Sequence, residues 1–199
     1  VRRRQIILSL AGVAGASAFM LGLGAWKTRN RAVPNPLLPL PLTSMDWRLT
    51  NHVGQEVTPA DLRGRPAMVF FGFTYCPDVC PTTLLDIADW LEALGSDADR
   101  LTVALITVDP ERDTPDVLAD YISNFDPRII GLTGSMGETA CAAADFRISF
   151  DKMPTVDGDY TINHTAGVFL FYANGRFASI IDFHEDRRFA VPKLRRILA

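Results

Sequence analysis

Only three of the 199 residues are cysteine: Cys76, Cys80 and Cys141. That is too few for a disulfide framework, and there is no second close pair to complete a four-ligand structural zinc site. Positive charge is also scarce, with a net charge of −3. The first 31 residues carry six basic groups and no acid, which leaves 14 basic groups against all 23 acidic ones in the remainder. A chain without a basic excess in its folded part is not a nucleic-acid binder. No internal repeat is found, and no low-complexity segment beyond one proline-rich stretch. At 48% hydrophobic and 22% charged, the composition excludes disorder. The length suits one domain with a sizeable core plus an appendage.

The appendage is expected at the amino end. Arg2, Arg3 and Arg4 precede 22 uncharged residues, 5–26, and Lys27, Arg29 and Arg31 follow them. As a helix, that stretch would span roughly 30 Å, about one hydrocarbon core. Residues 1–31 are therefore expected to be a transmembrane anchor or a signal. Ala16-Ser17-Ala18 resembles a cleavage site, but the apolar run continues past it to Trp26, which favours a retained anchor. The usual amino-end-inside orientation would export the domain, to the periplasmic side in a bacterium. Residues 32–45 hold Pro34, Pro36, Pro39 and Pro41 and are expected to form a stiff extended spacer.

Residues 46–199 are expected to form the domain. Residues 46–57 alternate around Gly54, as a short hairpin does. Residues 67–73 are a continuous apolar run, expected as a buried strand, and 101–108 are expected as a second one. Between them, after Pro81, Leu84, Ile87, Ala88, Leu91 and Leu94 share one helical face. Thr114-Pro115 opens a second helix with core positions Val117, Leu118, Tyr121, Ile122 and Phe125. A third strand is expected over 128–132, and Ser135 caps a helix of small residues reaching Phe146. Asn174-Gly175 joins two apolar runs, 166–172 and 176–181, as a hairpin. A last helix is expected to start near Pro192, because proline deep in a helix costs about 3 kcal/mol. The alternation implies an α/β fold, a central sheet flanked by helices.

The chemistry concentrates in Cys76-Pro77-Asp78-Val79-Cys80-Pro81, at the mouth of a strand-to-helix turn. A helix amino terminus stabilises a thiolate there, and Cys76 is best placed to use it. Four-residue spacing on a helix would put Cys80 one turn above it, so the pair could close as a disulfide or aim both sulfurs at one metal. His164 stands before a later apolar run, at the expected start of a strand. Two sulfurs and one imidazole suit Cu(I), or Cu(II) with an added oxygen. Two thiols alone suit a redox shuttle. His52 and His184 occupy polar, turn-like settings expected to be solvated. Cys141, among small residues, is expected to be a buried core thiol. Asp109, at the carboxyl edge of a strand, and Asp78 are candidates for tuning the site or docking a partner. The alternative for Asp109 is a helix or turn cap, to which Asp113 is also suited. A thiol peroxidase is disfavoured because Phe73, not threonine, stands three residues before Cys76.

Three blocks carry a family resemblance: the run from Phe71 to Pro81, the run from Thr107 to Pro115, and residues 160–165. In order and spacing they resemble the SCO/SenC family, over about residue 46 to the carboxyl end. That resemblance implies a thioredoxin-like fold with an N-terminal membrane anchor. It also implies copper as the metal, Cu(I) or Cu(II), with Cys76, Cys80 and His164 as ligands. The implied role is a metallochaperone, not an enzyme, for the subunit carrying the binuclear copper centre of cytochrome c oxidase. Other copper chaperones or thioredoxin-like reductants are further implied partners. A thiol–disulfide reductase acting through Cys76 and Cys80, keeping the oxidase cysteines reduced, is the alternative. The chain departs from the family at Asn163, where many members have aspartate. A neutral neighbour would support Cu(II) less.

Overall fold

The computed structural model describes residues 37–199; the expected anchor, with residues 5–26 as its membrane span, and the first part of the spacer lie outside them. Among the described residues no helix is long and apolar enough to cross a membrane. The strands are β1 (Leu49–Asn51), β2 (Glu56–Val57), β3 (Ala67–Gly72), β4 (Thr102–Thr107), β5 (Ile129–Thr133), β6 (Phe150–Pro154), β7 (Tyr160–His164), β8 (Val168–Phe171) and β9 (Phe177–Ile181). The helices are α1 (Val79–Leu94), α2 (Pro115–Ile122), α3 (Met136–Phe146) and α4 (Arg187–Leu198).

Seven strands form one sheet in the order β2-β1-β5-β4-β3-β8-β9. Its centre, β3, β4 and β5, is parallel, and β1, β8 and β9 join in antiparallel pairs. All six residues of β3 are buried, as its unbroken apolar run demands of a strand covered on both faces. Phe71 points to one face, where its ring meets the edge of Phe146 on α3 at 5.0 Å and Phe169 at 6.4 Å. Phe70 and Gly72 point to the other, toward α1. Along the row Phe70, Leu105 and Gly131, α2 packs on that same face, a Cβ at Gly131 falling 3.1 Å from Leu118. The helices thus cover both faces, the arrangement expected of a thioredoxin-like sheet.

Local signals explain most boundaries. Thr114 and Ser135 accept from the amides of Val117 and Glu138 as helix caps. Gly175 takes φ +81° in the β8–β9 turn. The structure departs from the expectations, or adds to them, at four places. Residues 37–45 are not a free spacer: Leu42 is buried, its amide donates to the Gly175 carbonyl at 2.8 Å, and the Leu40 amide donates to Asp145. Proline-rich chain can be extended and still dock, because its leucines have apolar surface to lose. Helix α1 begins at Val79, before Pro81, whose missing N–H falls in the first turn where none is needed. Helix α4 begins at Arg187, capped by Asp186, and keeps Pro192 inside. Burial of Ala190, Leu194, Ile197 and Leu198 offsets the lost backbone bond. Finally, β6 and β7 form a separate two-stranded hairpin that no apolar alternation announces, since Ile162 is their only buried residue.

Candidate metal centre

The carboxyl ends of β3 and β4 and the end of β7 meet at one place. Gly72 closes β3 beneath it. A Cβ there would stand 2.9 Å from the Phe70 ring and 3.1 Å from the Cys80 sulfur, so glycine leaves room for that sulfur. The chain then turns through Phe73 to Asp78, with the Cys76 amide donating to the Phe73 carbonyl at 3.2 Å.

Cys76 is not on the helix, as the four-residue spacing suggested, but in the loop before it. Its sulfur accepts from the Cys80 amide at 3.4 Å. It thus does for α1 what a capping side chain does, a task that Asp78, at the cap position, leaves undone. The hydrogen bond with the Cys80 side chain, and then the backbone amides of Asp78 and Cys80, pull the Cys76 thiol from 9.0 down to about 5, against the opposing effect of burial. Cys80, in the first turn of α1, has no exposed surface. Its hydrogen bond to Cys76 and its burial push its pKa up. Cys76 is thus the more acidic thiol of the pair, and both cysteines are free of disulfide bonds.

His164 ends β7 rather than starting a strand. Its Nδ1 lies 3.0 Å from the Thr165 carbonyl, which only accepts, so Nδ1 carries the proton. Nε2 is left with its lone pair, 3.5 Å from the Cys80 sulfur. The edge of Phe73 supports the imidazole, ring centres 5.9 Å apart. Cys80 therefore touches both other candidates. Among the described residues, no three His, Cys, Asp or Glu side chains are already gathered as a closed metal site. The arrangement is two sulfurs held by the sheet–helix junction and a nitrogen brought up beside one of them.

The carboxylates divide. Asp78 is exposed, and its side chain accepts only from Thr82 at 3.4 Å. Asp109 is fully buried, paired with Arg112 at 2.5 Å and accepting from the Tyr160 hydroxyl at 2.9 Å. Asp113 is no helix cap. It is buried and accepts from the Thr74 amide and hydroxyl and from Thr107 at 3.1, 2.6 and 2.5 Å, lacing the cysteine loop to the end of β4. Burial still raises its pKa. Tyr121 buries its hydroxyl without a partner, and burial followed by the charges of Cys80, Cys76 and Asp113 raises its pKa. Sequence reasoning assigned Arg112, Asp113, Tyr121 and Tyr160 no place at the site, although all but Tyr121 lie in the blocks that carry the family resemblance.

The remaining candidates lie elsewhere. Cys141 is exposed, contrary to expectation, its thiol donating to the Asp46 carbonyl at 3.2 Å. Helix α3 turns Thr139, Ala142, Ala143 and Phe146 inward instead, a choice its uniformly small residues do not reveal. His52 accepts from the Gly131 amide at 3.2 Å, and His184 faces Asp86 at 3.5 Å.

Comparison with known proteins agrees with this architecture. The chain is similar to the mitochondrial SCO1 homolog of Homo sapiens, 36% identical over 155 residues that cover 76% of this chain and 50% of that protein. It thus spans about half the length of that relative. The mitochondrial SCO2 homolog of Mus musculus is 31% identical across 100% of this chain and 80% of its own length. Among solved structures, Bradyrhizobium japonicum ScoI with copper bound is 44% identical, superposes with a TM-score of 0.71, and is matched over 76% of this chain and 96% of that one. Yeast Sco1 with copper bound is 33% identical, with a TM-score of 0.71 over 80% of this chain and 87% of that one. The SCO1/SenC family model matches residues 38–199, and the chain belongs to that family.

Proposed function

We propose that this protein is a copper chaperone that takes up copper through Cys76, Cys80 and His164. It delivers the metal to the binuclear copper centre of cytochrome c oxidase during assembly. The single observation that supports this most is the approach of His164 Nε2 to within 3.5 Å of Cys80, across 84 residues of sequence, beside a second sulfur. Two sulfurs and one nitrogen form a soft donor set suited to Cu(I). Two relatives with this fold were solved with copper bound. In this reading residues 5–26 anchor the chain and the domain faces the exported side, where the oxidase copper subunit is met.

The cargo passes by ligand exchange. Cys76, the more acidic thiol, gives up its proton to an incoming metal more readily than Cys80 does. His164 Nε2 faces the Cys80 sulfur. A partner's cysteines displace the nitrogen first and the sulfurs after it, so the ion is never stranded without ligands.

The low pKa of Cys76 also favours a second reading, thiol–disulfide exchange with Cys76 as attacking thiolate and Cys80 as resolving thiol. Metal analysis with absorption and paramagnetic spectra, on reduced and oxidised protein, tests the first. Reduced wild type should hold one copper per chain and Cys80→Ser should hold none; equal retention overturns it. His164→Ala separates the two: lost copper and lost oxidase assembly with intact thiol exchange support the chaperone, and intact oxidase assembly despite lost copper supports the exchanger.

A further inference from the structure

We propose that Arg112 is a positioning residue whose guanidinium pins the β6–β7 hairpin, and with it His164, to the cysteine loop. The inference rests on His164 serving as the third copper ligand.

Arg112 is largely covered, its side chain 17% exposed, and it joins three segments. Its Nε meets Asp109 at the end of β4 at 2.5 Å. Its Nη1 donates to the Tyr160 carbonyl at 3.1 Å and lies 3.5 Å from Asp159, both beside the hairpin turn. Its Cζ lies 3.8 Å from the centre of the Tyr160 ring and 4.7 Å from that of Tyr75, the residue before Cys76. Tyr160 returns a hydrogen bond to Asp109 at 2.9 Å, and Lys152 on β6 pairs with Glu111 at 2.7 Å.

The hairpin needs such a pin because it has little packing of its own. Four of the five β6 residues are exposed, and Ile162 is the one buried residue of the two strands. With only Ile162 buried and Phe150 and Tyr160 partly packed on the core, the hairpin leans on its polar contacts, and those of its turn end meet at or beside Arg112. Tyr160 begins β7 and His164 ends it. Holding the first therefore limits where the second can stand. Groups one shell away from a ligand usually change metal affinity by about ten- to a hundredfold when removed. Lysine cannot replace this arginine, because it has neither the planar stack nor the forked donors.

The test uses the full chain with Arg112→Lys, Tyr160→Leu and Asp109→Asn/Arg112→Gln, each with and without His164→Ala. Hydrogen exchange on copper-free protein reads the hairpin, and competition for Cu(I) with a chromophoric chelator reads the site. In the pinning variants, amides of β6 and β7 should exchange about tenfold faster or more while those of β3 and α1 keep their protection. Cu(I) affinity should fall about ten- to a hundredfold in a His164 background and not fall further in a His164→Ala background. Unchanged hairpin exchange, or losses that add to that of His164→Ala, overturns the proposal. Should Arg112→Lys lose protection in β3 as well, Tyr160→Leu decides, since it keeps the Asp109–Arg112 pair. Wild type and His164→Ala binding copper alike would defeat the ligand assignment instead, and the exchange data would still report on the pin.

Discussion

Cys80 and His164 stand 3.5 Å apart and are held by structures of opposite character. The sulfur has no exposed surface and sits between a fully buried strand and the first turn of a 16-residue helix. The nitrogen sits at the end of a two-stranded hairpin with one buried residue, outside the main sheet. One region has its position fixed by packing, where displacement means opening the core. The other buries only Ile162, rests Phe150 and Tyr160 partly on the core, and relies for the rest on hydrogen bonds and ion pairs. Under the proposed chaperone reading, a carrier that must grip a metal and then surrender it is served by this asymmetry: the buried Cys80 sulfur stays put and the His164 nitrogen is the donor more easily withdrawn.

The contrast can be broken from the core side first. Phe71→Ala removes a ring that meets Phe146 and Phe169 edge-on and should lower unfolding stability by about 3–5 kcal/mol in urea titration. A loss under 1 kcal/mol would show that the sheet is not the rigid half. Gly72→Ala is the smaller blow, about 1–3 kcal/mol, because its methyl must displace either the Phe70 ring or the Cys80 sulfur. If the sulfur moves, the Cys80–His164 approach is lost along with stability, which a shifted histidine ring resonance would report.

The contrast between the two thiols is sharpened by pH. The rate of Cys76 alkylation in copper-free protein should stay high down to acid and fall only as pH drops through about 5, not through the ordinary 9.0. The same depression means that the Cys76 thiolate's contribution to stability is present above pH 9.0 and is lost as pH falls toward about 5. A titration midpoint near 8 or 9 would remove the capping interaction from the account. The smallest effect belongs to the hairpin turn. Val156→Ser, at a fully exposed position, should change stability by less than about 0.5 kcal/mol. A larger change would mean that the hairpin is braced through its tip as well as through Arg112.

The central strands, both capped helices and the Asn174-Gly175 turn were legible because apolar runs, capping residues and turn residues act locally. The β6–β7 hairpin was not, because exposed strands lack alternation and Asp157-Gly158 alone is a weak signal. Pro192 misled for a related reason: a local penalty says nothing of the four buried residues that outweigh it. Asp109 and Asp113 looked alike on the chain, as possible caps. Their separate roles, one under Arg112 and Tyr160 and one lacing Thr74 to Thr107, depend on Thr74 and Tyr160, partners 39 and 51 residues away.

By itself the order of residues determined the α/β layering and the strand-to-helix turn that holds two thiols, because periodicity and helix-end chemistry are properties of neighbours. Tertiary structure decided that Cys76 caps the helix instead of joining it, that Cys141 faces solvent, and that an imidazole 84 residues away turns its lone pair to the buried sulfur. Those outcomes follow from which surfaces found cover when the chain closed on itself, and no short stretch of sequence records that.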